Sequence, residues 1–271
     1  MNRLFFIAVL SALMLLGSVD TAQADLTRKV NCDAGQTIQR ALDASEGPGG
    51  ELAIIVSGTC EGAQITRDNV TIQGDAGATV VGRLLVLGPA RVTLRNLAIT
   101  GPGDGLVVRG GRARVIDCQI FENEGIGVAV RDGAWVALSG VTDVSDNLLS
   151  GVLVDNSDVR IAGRVAGNGE DGVRVDRQGN VVLQGSAVVE GNHQSGIQLR
   201  LHSTLDLTEQ SQVLDNWDLD IYAVEDSAIR VSSGDVNVPG VVACDDNESS
   251  FLVVEGAEEA NLPEVYCSDF N

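Results

Sequence analysis

The sequence predicts an all-β solenoid: a single-stranded right-handed parallel β-helix of three-strand coils with a short N-terminal capping helix. Three observations predict it. A nine-residue motif recurs at near-constant spacing, alternating aliphatic strands flank it, and aromatic residues make up only 3% of the chain, which suits a narrow aliphatic interior.

The motif is an apolar residue, two variable positions, asparagine, three variable positions, glycine or aspartate, then an aliphatic residue. It reads Ile120, Asn123, Gly127, Val128; Val144, Asn147, Gly151, Val152; Val165, Asn168, Gly172, Val173; Val189, Asn192, Gly196, Ile197; and Val213, Asn216, Asp220, Ile221. Successive asparagines lie 24, 21, 24 and 24 residues apart, a fixed period that marks stacked repeats. At about 4.8 Å per coil, their side-chain amides can donate to and accept from one another in a ladder. A sharp bend between strands also needs a left-handed residue, and asparagine tolerates that conformation better than most, so the ladder asparagines are expected to adopt it.

The strands alternate as parallel coils require. Before the ladder the inward pairs are Val92 and Leu94, Ala113 and Val115, Val136 and Leu138, Val159 and Ile161, Val181 and Leu183, Leu205 and Leu207, Ile229 and Val231. After it come Val128 and Val130, Val152 and Val154, Val173 and Val175, Ile197 and Leu199. Cys118, five residues before Asn123, shares its slot with Thr142, Gly163, Ala187 and Ser211. All are small, so Cys118 is read as a buried filler thiol.

The ends need covers, because an exposed strand edge invites aggregation. Residues 36–44 place Ile38, Ala41 and Leu42 on one helical face, an amphipathic lid for the first coil. A Gly-Pro-Gly-Gly turn at 47–50 leads into a strand over 51–56. The pattern fades after Val231, and the segment from Cys244 to Cys267 is the expected closing cap. The domain reading is a signal peptide over 1–24 and one β-helix over 25–271, with disulfide-closed caps near 25–75 and 235–271.

The signal peptide rests on Arg3, an apolar run over 4–16, and Ala22-Gln23-Ala24 before the cleavage point. That run is too short to span a bilayer, and no later segment is apolar enough, so an exported product without a membrane span is expected in the periplasm or medium. Export permits disulfides: Cys32 with Cys60 and Cys244 with Cys267, each closing a terminal cap. Lysine and arginine total 18 against 38 acidic residues, a net charge of −20. Such a field repels nucleic acid and anionic membrane surfaces.

The runs Val30-Asn31-Cys32, Gln36-Thr37-Ile38-Gln39 with Ala41-Leu42, 55–61 (IVSGTCE) and 65–74 (ITRDNVTIQG) resemble the opening of bacterial exported right-handed β-helix repeat proteins. These share the pectin-lyase-like fold, and the repeats from Asn123 to Asp220 look like that group's later coils. The resemblance implies fold more than activity, since the scaffold hosts lyases, hydrolases, epimerases and proteins with no assigned activity. It also implies that chemistry would sit on outward positions of the strand before the ladder strand.

Those positions form two rows: Thr93, Arg114, Ala137, Arg160, Val182, Asp206, Arg230, and Arg95, Ile116, Ser139, Ala162, Gln184, Thr208, Ser232. A calcium-dependent lyase needs several converging carboxylates, and a glycoside hydrolase needs an acid and a base at a set separation. Neither row supplies these. His193 and His202 fall at different points of the coil and are read as solvated. Arg114, Arg160 and Arg230 could grip carboxylates or sulfates, although Ala137, Val182 and Asp206 interrupt the strip; as plain surface residues they would balance an acidic protein. Trp217 and Tyr222 offer faces for sugar stacking, and Asp215, Asp218 and Asp220 could hold a calcium ion or be ordinary turn residues. No other cofactor is evident. The chain therefore reads as a non-catalytic protein that binds polysaccharide or another envelope component, or serves structurally; the alternative is a divergent lyase or epimerase acting on uronate polymers.

Overall fold

The computed structural model describes residues 26–45, 50–232, 235–244, 250–254 and 265–266. The chain winds as a parallel solenoid with three faces. The first face is an eleven-stranded sheet that runs from Leu26–Asn31 and Leu52–Ser57 through Arg91–Arg95, Arg112–Ile116, Trp135–Ser139 and Asp158–Ile161 to Phe251–Val254. The second face (Ala98–Gly101, Gln119–Asn123, Asp143–Ser145 and onward) and the third (Leu106–Arg109, Val128–Arg131, Val152–Asp155 and onward) share one sixteen-stranded sheet. They merge because the strand Thr79–Leu87 runs unbroken through their common corner, pairing with Ala98–Gly101 at its start and Leu106–Arg109 at its end. Gly82, in its middle, has φ +90°, a conformation that glycine reaches without a Cβ penalty. In later coils the asparagine motif occupies that corner and splits the strand in two.

Period-two alternation directs the aliphatic residues inward. Every inward pair named above is buried, including Val136, Val159, Ile161, Val181 and Leu183 on the first face and Val128, Val152, Val173 and Ile197 after the ladder. Cys118 is fully buried and unoxidised, as its small-residue slot implied. Burial pushes its thiol up to about 11, so it carries little nucleophilic thiolate.

The asparagines form the ladder. Asn123 Nδ2 donates to Asn147 Oδ1 at 2.8 Å, and Asn147 to Asn168, Asn168 to Asn192 and Asn192 to Asn216 each at 2.9 Å. Each of these four Oδ1 acceptors also takes the backbone N–H of the preceding ladder residue. The expected backbone conformation is corrected: none of the five has a positive φ. The left-handed residue stands one position earlier, at Glu122, Asp146, Gly167, Gly191 and Asp215. The chain turns there so that the next side chain points inward along the stacking axis.

The motif glycines are required by the neighbouring coil. A Cβ on Gly172 would lie 2.5 Å from Asn192 Nδ2 and 2.7 Å from Gly196 O, closer than packed atoms tolerate. The last motif has Asp220 in this slot. Its Oδ1 accepts from Asn216 Nδ2 at 3.0 Å and its Oδ2 from the Gly240 N–H at 2.9 Å, so the side chain that would have clashed elsewhere ends the ladder here.

At the corner between the third and first faces a second column of small residues contains Ser157, Ser203, Ser227 and Ser250. The Ser227 N–H donates to Ser250 Oγ at 3.2 Å and the Ser203 N–H to Ser227 Oγ at 3.3 Å.

The capping helix spans Ile38–Asp43 and buries Ile38 and Leu42. Thr37 Oγ1 caps it by accepting from the Arg40 N–H at 3.1 Å. The helix follows the strand Leu26–Asn31, which pairs in parallel with Leu52–Ser57, so it belongs to the first coil. Cys32 and Cys60 are bonded, with Cα atoms 5.1 Å apart. Cys244 is disulfide-bonded; Cys267, its expected partner, lies outside the described residues.

Candidate functional site

Strand register places Thr93, Arg114, Ala137, Arg160, Val182, Asp206 and Arg230 in one outward row of the first face. Arg114, Arg160 and Arg230 are all exposed, and the three interrupting residues separate them as the sequence implied. The basic centre of the face lies elsewhere, at its N-terminal half. There Arg91, Arg112 and Trp135 form the neighbouring row at the strand starts, and Arg114 stands two residues on from Arg112.

These residues line a shallow groove of about 610 Å³ together with Glu51, Asn69, Thr71 and Thr93. Arg91 is held in place by Asp68, with Nε–Oδ1 at 3.0 Å and Nη2–Oδ2 at 2.6 Å. That pairing pulls the Asp68 carboxyl down to about 2. Among the described residues neither Arg112 nor Arg114 forms an ion pair. Arg95 is also exposed on the strand of Arg91. Two exposed guanidiniums without an ion pair among the described residues, one braced guanidinium and an indole thus share three adjacent strands about 4.8 Å apart.

Such a surface can bind planar anions bidentately. Two carboxylates stand at the groove: Asp68, paired with Arg91, and Glu51, whose Oε1 accepts from Thr71 Oγ1 at 3.1 Å. Further along the outward rows of the first face, Asp158 and Asp206 sit on strands separated by Asn180–Leu183 and in different rows. Reading the sequence by the rows that begin at Thr93 and Arg95 missed Arg91, Arg112 and Trp135, although their two-residue offset from the row of Thr93 marks them as outward too.

The remaining expected site residues are dispersed. Tyr222 is half-buried on the third face, in Ile221–Ala223. Trp217 is 77% exposed at the ladder corner, where its ring centroid lies 4.9 Å from that of His193. His202 is elsewhere, with Nε2 3.5 Å from Asp226 Oδ2. Asp215 and Asp218 are exposed, whereas both carboxylate oxygens of Asp220 accept hydrogen bonds within the fold. Among the described residues no three histidine, cysteine or acidic side chains come together as a cation-holding set, and no helix is long and apolar enough to cross a membrane.

The family model for the right handed beta helix region matches residues 52–218. No curated protein matches the chain. Among solved structures, pectate lyase Pel9A is similar with a TM-score of 0.56 at 10% identity, covering 90% of this chain and 80% of that one. ORF18 of Geobacillus virus E2 is similar with a TM-score of 0.50 at 14% identity, covering 89% and 61%. The periplasmic alginate epimerase AlgG gives 0.45 at 14% identity, covering 90% and 69%.

Proposed function

The chain belongs to the right-handed β-helix family, and on that footing we propose that it is an exported, non-catalytic binder of an anionic polysaccharide. The observation that carries this reading is the pair of unpaired guanidiniums, Arg112 and Arg114, beside Arg91 and Trp135 on the first face of a protein with net charge −20. In a chain so acidic, Arg112 and Arg114, without carboxylate partners among the described residues, are placed to take an anion from outside. Export is supported by the apolar run at 4–16 and by the Cys32–Cys60 disulfide.

In this reading Arg112 and Arg114 each fork onto a sugar carboxylate or sulfate, and Trp135 stacks on a ring between them. Arg91 extends the same row, and Asp68 fixes its orientation. The fold likeness to pectate lyase makes a uronate polymer the first ligand to try, and three arginines around one groove favour holding such a polymer over cleaving it.

The test is affinity electrophoresis and calorimetry with polygalacturonate and alginate, run beside an ultraviolet assay for unsaturated products. Binding to one of the polymers without product formation is expected. The double variant Arg112→Ala, Arg114→Ala should bind at least tenfold more weakly, since a hydrogen bond to a charged group contributes about 1.5–3 kcal/mol. Unsaturated products, or equal binding by the double variant, would overturn the reading.

A further inference from the structure

A second surface has the opposite charge and a different chemistry. At the corner between the second and third faces, the residue after each of the last four ladder asparagines donates its N–H to the asparagine carbonyl one coil earlier. The donors are Leu148 to Asn123 at 2.9 Å, Gly169 to Asn147 at 2.8 Å, His193 to Asn168 at 2.9 Å and Trp217 to Asn192 at 3.0 Å. Equivalent bonds place these four residues in one column with a coil spacing of about 4.8 Å.

Trp217 is 77% exposed in a chain with only two tryptophans. It is not loose: the His193 ring lies against it at 4.9 Å with a 50° tilt. Below His193, Gly169 leaves a gap, and no side chain could fill it because a Cβ there would run into the Leu148 carbonyl. The exposed residues Gln194 and Asp218 follow the two ring residues in sequence and are joined by the Asp218 N–H to Gln194 carbonyl bond at 3.3 Å; their side chains offer hydrogen-bond acceptors and an amide donor.

We propose that His193 and Trp217 form a stacking platform for a neutral pyranose, a carbohydrate site separate from the arginine groove. The aromatic face is electron-rich and attracts the C–H face of a sugar ring, and Gln194 and Asp218 are placed for its hydroxyls. Charge selects the ligand. The five ladder-turn segments carry Glu122, Glu124, Asp146, Glu170, Asp215 and Asp218 and contain no lysine or arginine, so a uronate is repelled here. Two rings are also far smaller than the roughly 800 Å² per partner of an ordinary protein interface, whereas they match one sugar face.

The two tryptophans let each site report separately. In the variant Trp135→Phe, Trp217 is the only indole, and its emission is followed during titration with cello-, manno- and chito-oligosaccharides and with oligogalacturonate. The expected result is a saturable change with at least one neutral series, weakened at least tenfold by His193→Ala, and none with oligogalacturonate. Calorimetry on Trp217→Ala in the otherwise native chain should show the neutral ligand lost and polygalacturonate binding retained. If no neutral series changes the emission at millimolar concentration, or if oligogalacturonate changes it equally, the proposal is wrong. Neither outcome bears on the arginine groove, which Trp217→Ala leaves untouched.

Discussion

Gly172 and Asp220 occupy the same slot of their motifs, and the difference between them is set by the coil that follows. Above Gly172 stands the Asn192 amide, so Gly172→Ala should lower stability by roughly 1–3 kcal/mol. Chemical denaturation monitored by circular dichroism measures it, and an unchanged midpoint would mean that the coils are less tightly stacked. Asn168→Ala should cost roughly 2–4 kcal/mol, because it removes the acceptor of the Asn147 amide and N–H and leaves Asn192 Oδ1 with only the backbone N–H of residue 168 as donor. Asp171 behaves oppositely. It is 2% exposed, and burial pushes its carboxyl up to about 6, although its Oδ1 accepts the Ser195 N–H at 3.2 Å. The folded chain therefore holds this proton more tightly than the unfolded one. Its contribution rises as pH falls from about 6 towards 4, and the charged form is a liability above 6. Asp171→Asn should raise the melting temperature at pH 7 and leave it nearly unchanged at pH 4; equal effects at both pH values would contradict the assignment.

The coil is the element that the sequence exposes most clearly. A side-chain period of two and a motif period near 24 residues state which residues face inward, which stack, and where Cys118 lies, because burial of a β-branched residue and stacking of an amide both depend on spacing alone. Backbone conformation does not depend on spacing alone, and the left-handed turn was misplaced by one residue, falling on Glu122 and Asp146 rather than Asn123 and Asn147. The serine column was illegible because Ala134 and Gly179 share its slot with Ser157, Ser203 and Ser227, so serine does not recur in every coil. The groove was half legible: Arg114 stood out in its row, but Arg91, Arg112 and Trp135 become one site only when strands separated by about twenty residues lie side by side. At the N-terminal coil the Cys32–Cys60 bond closes a separation of 28 residues, for which chain-entropy reasoning gives about 3–4 kcal/mol. Cys32→Ser with Cys60→Ser should lower the midpoint of thermal unfolding and free the helix Ile38–Asp43 for proteolysis first; cleavage beginning elsewhere would show that the cap does not depend on the bond.

Among the described residues charge is sorted along the coil. Glu122, Asp146, Glu170 and Asp215 lie along the ladder edge, while Arg91, Arg95, Arg112 and Arg114 gather on the first face, opposite that edge of the three-sided coil. A solenoid makes such sorting possible because each sequence position of the repeat maps to one line along the surface. The fold family leaves activity open, so the reading rests on this one face. The most direct measurement is a titration of the variant Trp217→Phe, in which Trp135 alone reports, with oligogalacturonate at low and high salt. A saturable change in Trp135 emission that weakens with salt and disappears with Arg112→Ala and Arg114→Ala is the predicted result. An unresponsive Trp135 while calorimetry registers binding would place the ligand on another face and contradict the account.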